Sequence, residues 1–305
     1  MFESKLKNIS RDIFNNKYKK KYFILTNEKN KREMYFICGN KEALKFAKPK
    51  FNSIKKRIIY FLLIMGILHP FLKKIELSRE IGDVIFVGGQ IKGFNLKDKL
   101  ANSFLHHQGA RKEFIKGKKD QKTLSEKGFA PRIIELNEGK CFSQEELFST
   151  YIGVLKPIFN KLFEFYNIEG YTKNTKLYNE LRLFLEKNYA DEPLLKKALM
   201  QIRRMDYFLF TEIHGEFSKA QCLIDCDKIL FVDWSLRKGL LTEDLVNCFR
   251  MEDYSNRKNF KKIARMYPAH VRENLKEYLL ATELLRLTQK GNIELSKLRI
   301  HKLMK

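Results

Sequence analysis

The sequence predicts an α+β fold with a strand-rich first half and a helix-rich second half. Three observations predict it. Short apolar runs broken by Gly, Asn and Lys turns dominate up to about residue 147. From residue 148 the apolar positions instead recur at spacings of three and four. Strands and helices are thus grouped by half and do not alternate as βα units, which excludes a doubly wound sheet. Hydrophobic residues make up 44% of the 305 residues, enough for a core and too many for a disordered chain.

In order, Tyr22–Leu25 and Met34–Cys38 read as strands around a polar turn at 27–31, and Gly39-Asn40 as the next turn. Short strand character is expected through residue 47. An apolar helix is expected over 55–72, around the uncharged run Ile58–Leu68. Residues 83–105 read as a meander: Asp83–Val87, a Gly88-Gly89 turn, Gln90–Asn95, a turn at Lys97–Lys99, and Leu100–Leu105. A basic helix follows over Ala110–Lys127, stopped by Gly128 and Pro131. Arg132–Leu136 and Lys140–Glu146 read as strands. The second half reads as helices over Thr150–Tyr166, Thr175–Asn188 and Pro193–Phe210. A strand pair over Ala220–Asp233 then turns at Asp225–Lys228, before helices over Glu243–Arg250, Asn256–Met266 and Pro268–Gln289.

The 60 basic against 36 acidic residues leave a net charge of +24, which points to an anionic partner: nucleic acid, phospholipid or a phosphorylated sugar. The excess is spread along a chain rich in Lys, Asn, Ile and Phe, so a composition bias explains it as readily. Five scattered cysteines do not make a disulfide framework and suggest a reducing compartment. The N-terminal residues lack the apolar core of a secretory signal, so a cytoplasmic location is expected. The 58–68 run is shorter than the ~20 residues that span a bilayer. Burial in the first half is the favoured reading of this helix. A position at the membrane interface, with basic flanks over residues 55–74, is the alternative and would place the chain at the inner membrane face.

The chemistry is concentrated in Ile213-His214-Gly215-Glu216, followed five residues later by Gln221 and, at the end of the second hairpin strand, by Asp233-Trp234. A long helix is expected to run into this stretch. It resembles the aminoglycoside phosphotransferase and choline kinase families, and more widely the eukaryotic-like kinase fold. Their signature is His-Gly-Asp, four residues, Asn, and a hairpin ending Ile-Asp-Trp/Phe. The match covers about residues 205–250, including Glu243-Asp244-Leu245. The resemblance implies a bilobal protein kinase-like fold, with an N-lobe over 1–147 and a helical C-lobe over 148–305. It further implies ATP and Mg2+ as cofactors and a hydroxyl on a small molecule or saccharide as acceptor. Among the kinases of this fold it looks like those acting on lipopolysaccharide-core or envelope sugars.

By the same resemblance, Glu216 stands at the catalytic-base position, Gln221 and Asp233 at the metal-ligand positions, and His214 braces the loop. Phosphoryl transfer asks the protein mainly for positioning and charge neutralisation. One carboxylate orients the attacking hydroxyl, and an amide oxygen and a second carboxylate hold magnesium. Two departures are plain: Glu216 replaces Asp and Gln221 replaces Asn, each a methylene longer, and ~1 Å of misplacement can cost about a hundredfold in rate. A pseudokinase that binds without turnover is therefore the alternative, and a basic RNA-associated protein the third reading.

The nucleotide lysine has no fixed place. Leu100–Leu105 carries none at its centre, so Lys92 on the preceding strand is the first candidate and Lys116 the second. Gly88-Gly89 could cover phosphates with backbone N–H groups, or simply turn a hairpin. Glu145-Glu146 resembles the hinge where backbone groups would hold adenine.

Overall fold

The computed structural model describes residues 2–15, 18–27, 32–51, 53–88, 90–105, 108–151, 153–170, 172–174, 176–205, 207–215, 217–289 and 292–305. The chain is α+β and divides into two compact units, Met1–Ser149 and Thr150–Lys305. The division falls two residues beyond the change of texture at 147/148.

In the first unit, α1 (Phe2–Asp12) precedes β1 (Lys19–Asn27) and β2 (Arg32–Ile37). The chain then forms α2 (Lys41–Ala47), α3 (Ile54–Ile64) and β3 (Lys74–Ser78). Next come β4 (Val84–Val87), β5 (Ile91–Asn95), β6 (Leu100–Phe104), α4 (Arg111–Glu126), β7 (Ile133–Asn137) and β8 (Phe142–Glu146). All eight strands form one sheet in the order β3-β1-β2-β4-β5-β6-β8-β7, antiparallel throughout. One face packs Tyr22, Tyr35, Ile85 and Phe104 with Leu6 of α1; the other packs Phe23, Phe36 and Val84 with Ala43, Leu44 and Leu63 of α2 and α3.

Two expectations are corrected here. Residues 41–47 are helix, not strand: the Asn40 side chain caps it by accepting from the Ala43 N–H at 3.1 Å, the standard signal for a helix start. The apolar helix is shorter than 55–72, and it is not a core helix. Only Leu63 of α3 is buried, while Ile58 and Phe61 stay 56% and 61% exposed. Helix α3 shares this sheet face with α2 and meets it along one side, around Leu63, so the opposite side is left exposed.

The second unit follows a two-residue strand, β9 (Ser149–Thr150), and holds α5 (Leu155–Glu169), β10 (Thr172–Asn174), α6 (Leu177–Asn188) and α7 (Pro193–Ile202). Strand β11 (Phe208–Ile213) leads to a hairpin, β12 (Cys222–Asp225) and β13 (Lys228–Phe231), and to β14 (Arg237–Leu240). Helices α8 (Arg257–Ala264), α9 (Ala269–Glu273), α10 (Leu275–Thr288) and α11 (Ile293–Met304) complete it. Helices α6, α7, α10 and α11 pack together. Most of α10, from Leu275 to Leu287, is buried.

Residues 208–210 are not the end of a helix. Phe208–Ile213 pairs with β10 on one side and β14 on the other, so ladder partners override the helical spacing upstream. Residues 243–250 are not an α-helix either. Glu243 spends its carboxylate on the Leu240 N–H (2.7 Å) and Arg237 (2.6 Å), and Asp244 spends its own on a loop elsewhere in the unit. What remains is turn and a short 3-10 segment at Val246–Cys248.

Candidate functional site

Strand β11 delivers the chain to His214 and Gly215, and the hairpin brings the chain back to the same place. The Val232 N–H donates to the Gln221 carbonyl at 3.1 Å and the Ser235 N–H to the His214 carbonyl at 3.0 Å. These bonds bring the backbone of 221 and of 232–235 beside the loop that begins at His214. Gly215 lies at φ +95, and a Cβ there would stand 2.1 Å from the Ser235 carbonyl oxygen, so only glycine fits. Asp233 also holds a left-handed conformation, at φ +61. Such backbone costs of order 1–3 kcal/mol for a non-glycine residue and persists where surrounding contacts impose it.

His214 is fully buried. Its Nε2 lies 2.9 Å from the Val232 carbonyl oxygen, and its ring lies against the Trp234 indole with centroids 4.5 Å apart. Phe217 and Phe231 close around it edge-on. The imidazole thus sits inside an aromatic box and ties the hairpin to the loop.

The turn itself is held from below by Asp244. One carboxylate oxygen accepts from the His214 N–H at 2.7 Å and the Tyr166 hydroxyl at 2.8 Å; the other accepts from the Gly215 N–H at 3.0 Å. Asp244 is 1% exposed. Three neutral donors compensate its burial, as a buried carboxylate requires. The sequence marked Glu243-Asp244-Leu245 as an acidic spot; its function as the peg of the His214 turn needed the fold.

Glu216 lies outside the described residues, as does Gly89. Gln221 is described, and its side-chain oxygen accepts from the Ser218 N–H at 2.6 Å. That is the atom expected at a metal, so in this conformation the amide serves its own 3-10 turn. Among the described residues no group of three His, Cys, Asp or Glu side chains is placed to share a metal ion. Magnesium needs only one or two protein carboxylates, because phosphates and water complete its shell. Asp233 alone meets that minimum, and Gln221 would join it by releasing Ser218.

The first unit holds a separate polar centre. Strand β6 carries Asn102 and Ser103 where a central lysine would lie, and both are buried. Lys92 on β5 stands directly opposite Ser103, which stands opposite Ser143 on β8. Cross-strand partners share a face, so Lys92 projects on the same face as Ser103, Ser143 and Glu145. The Ser103 and Ser143 hydroxyls are buried without a hydrogen-bond partner. A second lysine reaches the Glu145 carboxylate from α4: Lys118 Nζ lies 2.8 Å from Glu145 Oε2 and 3.1 Å from Gln121 Oε1. Gln121 Nε2 donates to the same carboxylate oxygen at 2.5 Å. All three side chains are buried. Lys116, the second sequence candidate, is exposed on α4 and faces Asp120.

Lys50 joins Lys92. Its ammonium sits 5.2 Å from the centroid of Phe86, whose cross-strand partner is Lys92. Burial first, then the positive charges of Lys92 and Arg32, hold Lys50 below the usual lysine range. Lys50, Lys92 and Arg32 thus lie near enough to one another for their charges to interact. The sequence offered no signal for Lys50, Lys118 or Gln121 beyond a surfeit of lysines.

One expectation about this unit fails. The Glu145-Glu146 backbone is no open hinge. Both residues lie in β8, paired on both sides, with the Glu146 N–H given to the Arg132 carbonyl. Of the two readings of Gly88-Gly89, the Gly88 N–H fits the turn, donating to the Gln90 carbonyl at 3.0 Å. It is hairpin-turn geometry. A groove of about 470 Å³ in this unit, lined by Asn40, Phe46, Arg79, Asp83 and Lys97 among others, lies at the far ends of β4 and β5 from Gly88 and holds none of these residues.

No protein-family model matches the sequence, and no curated protein matches it. Solved structures do. A choline/ethanolamine kinase family protein from Mesorhizobium loti is similar at 12% identity and a TM-score of 0.43, over 73% of this chain and 85% of its own. A macrolide 2'-phosphotransferase from Brachybacterium faecium is similar at 12% identity and 0.46, over 69% and 88%. A thermostable mutant of an aminoglycoside phosphotransferase, solved with ADP and hygromycin B, is similar at 13% identity and 0.45, over 72% and 88%. Choline kinases and aminoglycoside phosphotransferases are the families that the stretch from His214 to Trp234 resembles.

Proposed function

We propose that this chain is an ATP-dependent phosphotransferase acting on a hydroxyl of a small molecule, with an envelope saccharide as the finer reading. The observation that carries it is the loop pegged by Asp244. A buried carboxylate holds the His214 and Gly215 N–H groups, and the hairpin returns the backbone of 232–235 to His214. A backbone fixed in this way is what positioning-dominated phosphoryl transfer needs. Glu216 would orient and deprotonate the acceptor hydroxyl. Asp233, with Gln221 once it leaves Ser218, would hold magnesium, which supplies charge neutralisation at the phosphates. Lys92, with Lys50 beside it, would pair with nucleotide phosphates.

One observation favours the second reading, a nucleotide- or partner-binding protein without turnover: the Gln221 oxygen is engaged by the Ser218 N–H. Thermal melting with ATP, with and without magnesium, followed by ADP release, separates the two. The phosphotransferase reading expects magnesium-dependent stabilisation and ADP release, both lost in Asp233→Ala. Stabilisation without ADP release for any sugar or amino-alcohol acceptor supports the second reading. No nucleotide effect in the wild type removes both.

A further inference from the structure

The strongest feature outside these sites is α3 and the turn behind it. The helix meets the sheet with Tyr60, Leu63 and Ile64, which join the cluster around Phe23, Phe36 and Val84. On its outer side Ile54, Ile58, Phe61 and Met65 follow at i, i+4, i+7 and i+11, and all four are more than half exposed. At about 100° per residue these positions form one straight apolar stripe along the helix. Ile67 and Phe71 extend it past the helix end, Phe71 being 82% exposed. Seven of the fourteen large apolar side chains exposed among the described residues fall within 54–71. Scattered exposed apolar residues are ordinary; a contiguous stripe marks an interaction surface.

Charge says what covers it. Between Glu42 and Glu76 the sequence has eight Lys and Arg residues and no acid. Lys55, Lys56 and Arg57 make no ion pair among the described residues, and at 100° steps Lys55 and Arg57 flank the apolar stripe on its two sides. Long basic side chains in such positions lay their stems on apolar surface and raise their charges to an anionic plane. A second copy of the chain fits poorly, because a twofold contact would bring these like charges together. No described helix is long and apolar enough to cross a membrane, and α3, at eleven residues, is about half a bilayer's hydrocarbon thickness.

We propose that the outer face of α3 lies flat in the headgroup region of an anionic lipid bilayer, with Ile54, Ile58, Phe61, Met65 and Phe71 in the acyl boundary and Lys55 and Arg57, which flank the stripe, on the lipid phosphates. The inference is independent of the phosphotransferase reading. It would bring the protein to acceptors that are themselves membrane-bound.

The test is co-sedimentation of the full chain with phosphatidylcholine vesicles and with equimolar phosphatidylcholine–phosphatidylglycerol vesicles. The wild type is expected to sediment with the anionic vesicles only. Ile58→Glu and Phe61→Glu should each lower the partition coefficient at least about tenfold. Glutamine at 55 and 57 together should lower it roughly twenty-five-fold at low salt, since each basic side chain near the surface is worth roughly fivefold. Both glutamate substitutions point outward, and unchanged melting curves show that the fold survives; Phe71→Ser provides a variant outside the helix. Failure of the wild type to bind anionic vesicles overturns the proposal, as does binding that the folded variants leave unchanged. So does a vesicle-free dimer abolished by Phe61→Glu, which would assign the stripe to a second copy. Binding of polyglutamate in place of vesicles would assign it to an acidic protein, with the same consequence.

Discussion

Asp244 in the second unit and Glu145 in the first are both buried carboxylates, and they are compensated in opposite ways. Asp244 accepts from neutral donors only, two backbone N–H groups and a tyrosine hydroxyl. Glu145 is met by the Lys118 ammonium and the Gln121 amide. The first arrangement uses charge to shape a backbone turn, so the residues it serves, His214 and Gly215, are fixed whatever their side chains do. The second uses charge to fix another charge, locking α4 to β8 through side chains alone. A buried ion pair is costly to assemble and costlier to break by half. A pegged loop has no such symmetrical replacement, because backbone donors cannot be mutated away.

The largest expected effect follows from that difference. Asp244→Ala should leave three buried donors unsatisfied, at about 1–3 kcal/mol each. We expect a loss of about 4 kcal/mol or more in urea denaturation, together with loss of any phosphotransfer. A loss under about 1 kcal/mol would mean that the turn stands without its peg. Next, Lys118→Met should cost about 3–5 kcal/mol by stranding Glu145, whereas Lys118→Met with Glu145→Met should recover most of it. A double-mutant cycle with no coupling would break the comparison from the other side. Tyr166→Phe removes one of three donors to Asp244 and should cost about 1 kcal/mol, an effect large enough to resolve by chemical denaturation.

The smallest effect concerns thiols. Burial pushes Cys248 up to about 11, and burial also raises Cys222, while Cys226 is exposed. Iodoacetamide at pH 8 should therefore label Cys226 in the folded protein, reach buried Cys222 only on unfolding, and react slowly with half-buried Cys248, whose thiolate is scarce. The folded state keeps the Cys248 proton that the unfolded chain loses near pH 9. The thiol's contribution is thus complete below about pH 9 and falls away as pH rises toward 11. Rapid labelling of Cys222 at pH 8 would contradict this burial.

The sequence singled out the stretch from His214 to Trp234 and little of what supports it. The hairpin was legible to the residue: Asp225 pairs with Lys228 across the turn that Cys226-Asp227 announces. The meander and the basic helix were legible too, because turn chemistry and periodicity are local. Asp244, Lys118, Gln121 and Lys50 were not, because their meaning lies in partners 24 to 78 residues away, or across a sheet face. Nothing in the local pattern separates a peg or a buried lysine from a surface charge in a chain with 60 Lys and Arg residues.

Two helices show where the division lies. Helix α3 is uncharged from Ile58 to Ile64 and read as core, yet it is mostly exposed; α10 carries Lys276, Glu277, Glu283 and Arg286 and is mostly buried. Local pattern determined that both are helices. Their surroundings decided the rest. Glu283 is paired with Arg299 of α11 at 3.2 Å, which allows α10 to be enclosed by its neighbours, while α3 has a sheet on one side and no described neighbour on the other. By itself the sequence determined most of the element types, the His-Gly…Asp-Trp stretch and the excess of charge. Only the tertiary structure decided which charges are buried, which carboxylate shapes the turn and which apolar face is left outward. Burial is a property of what packs against a residue, and no residue carries that information alone.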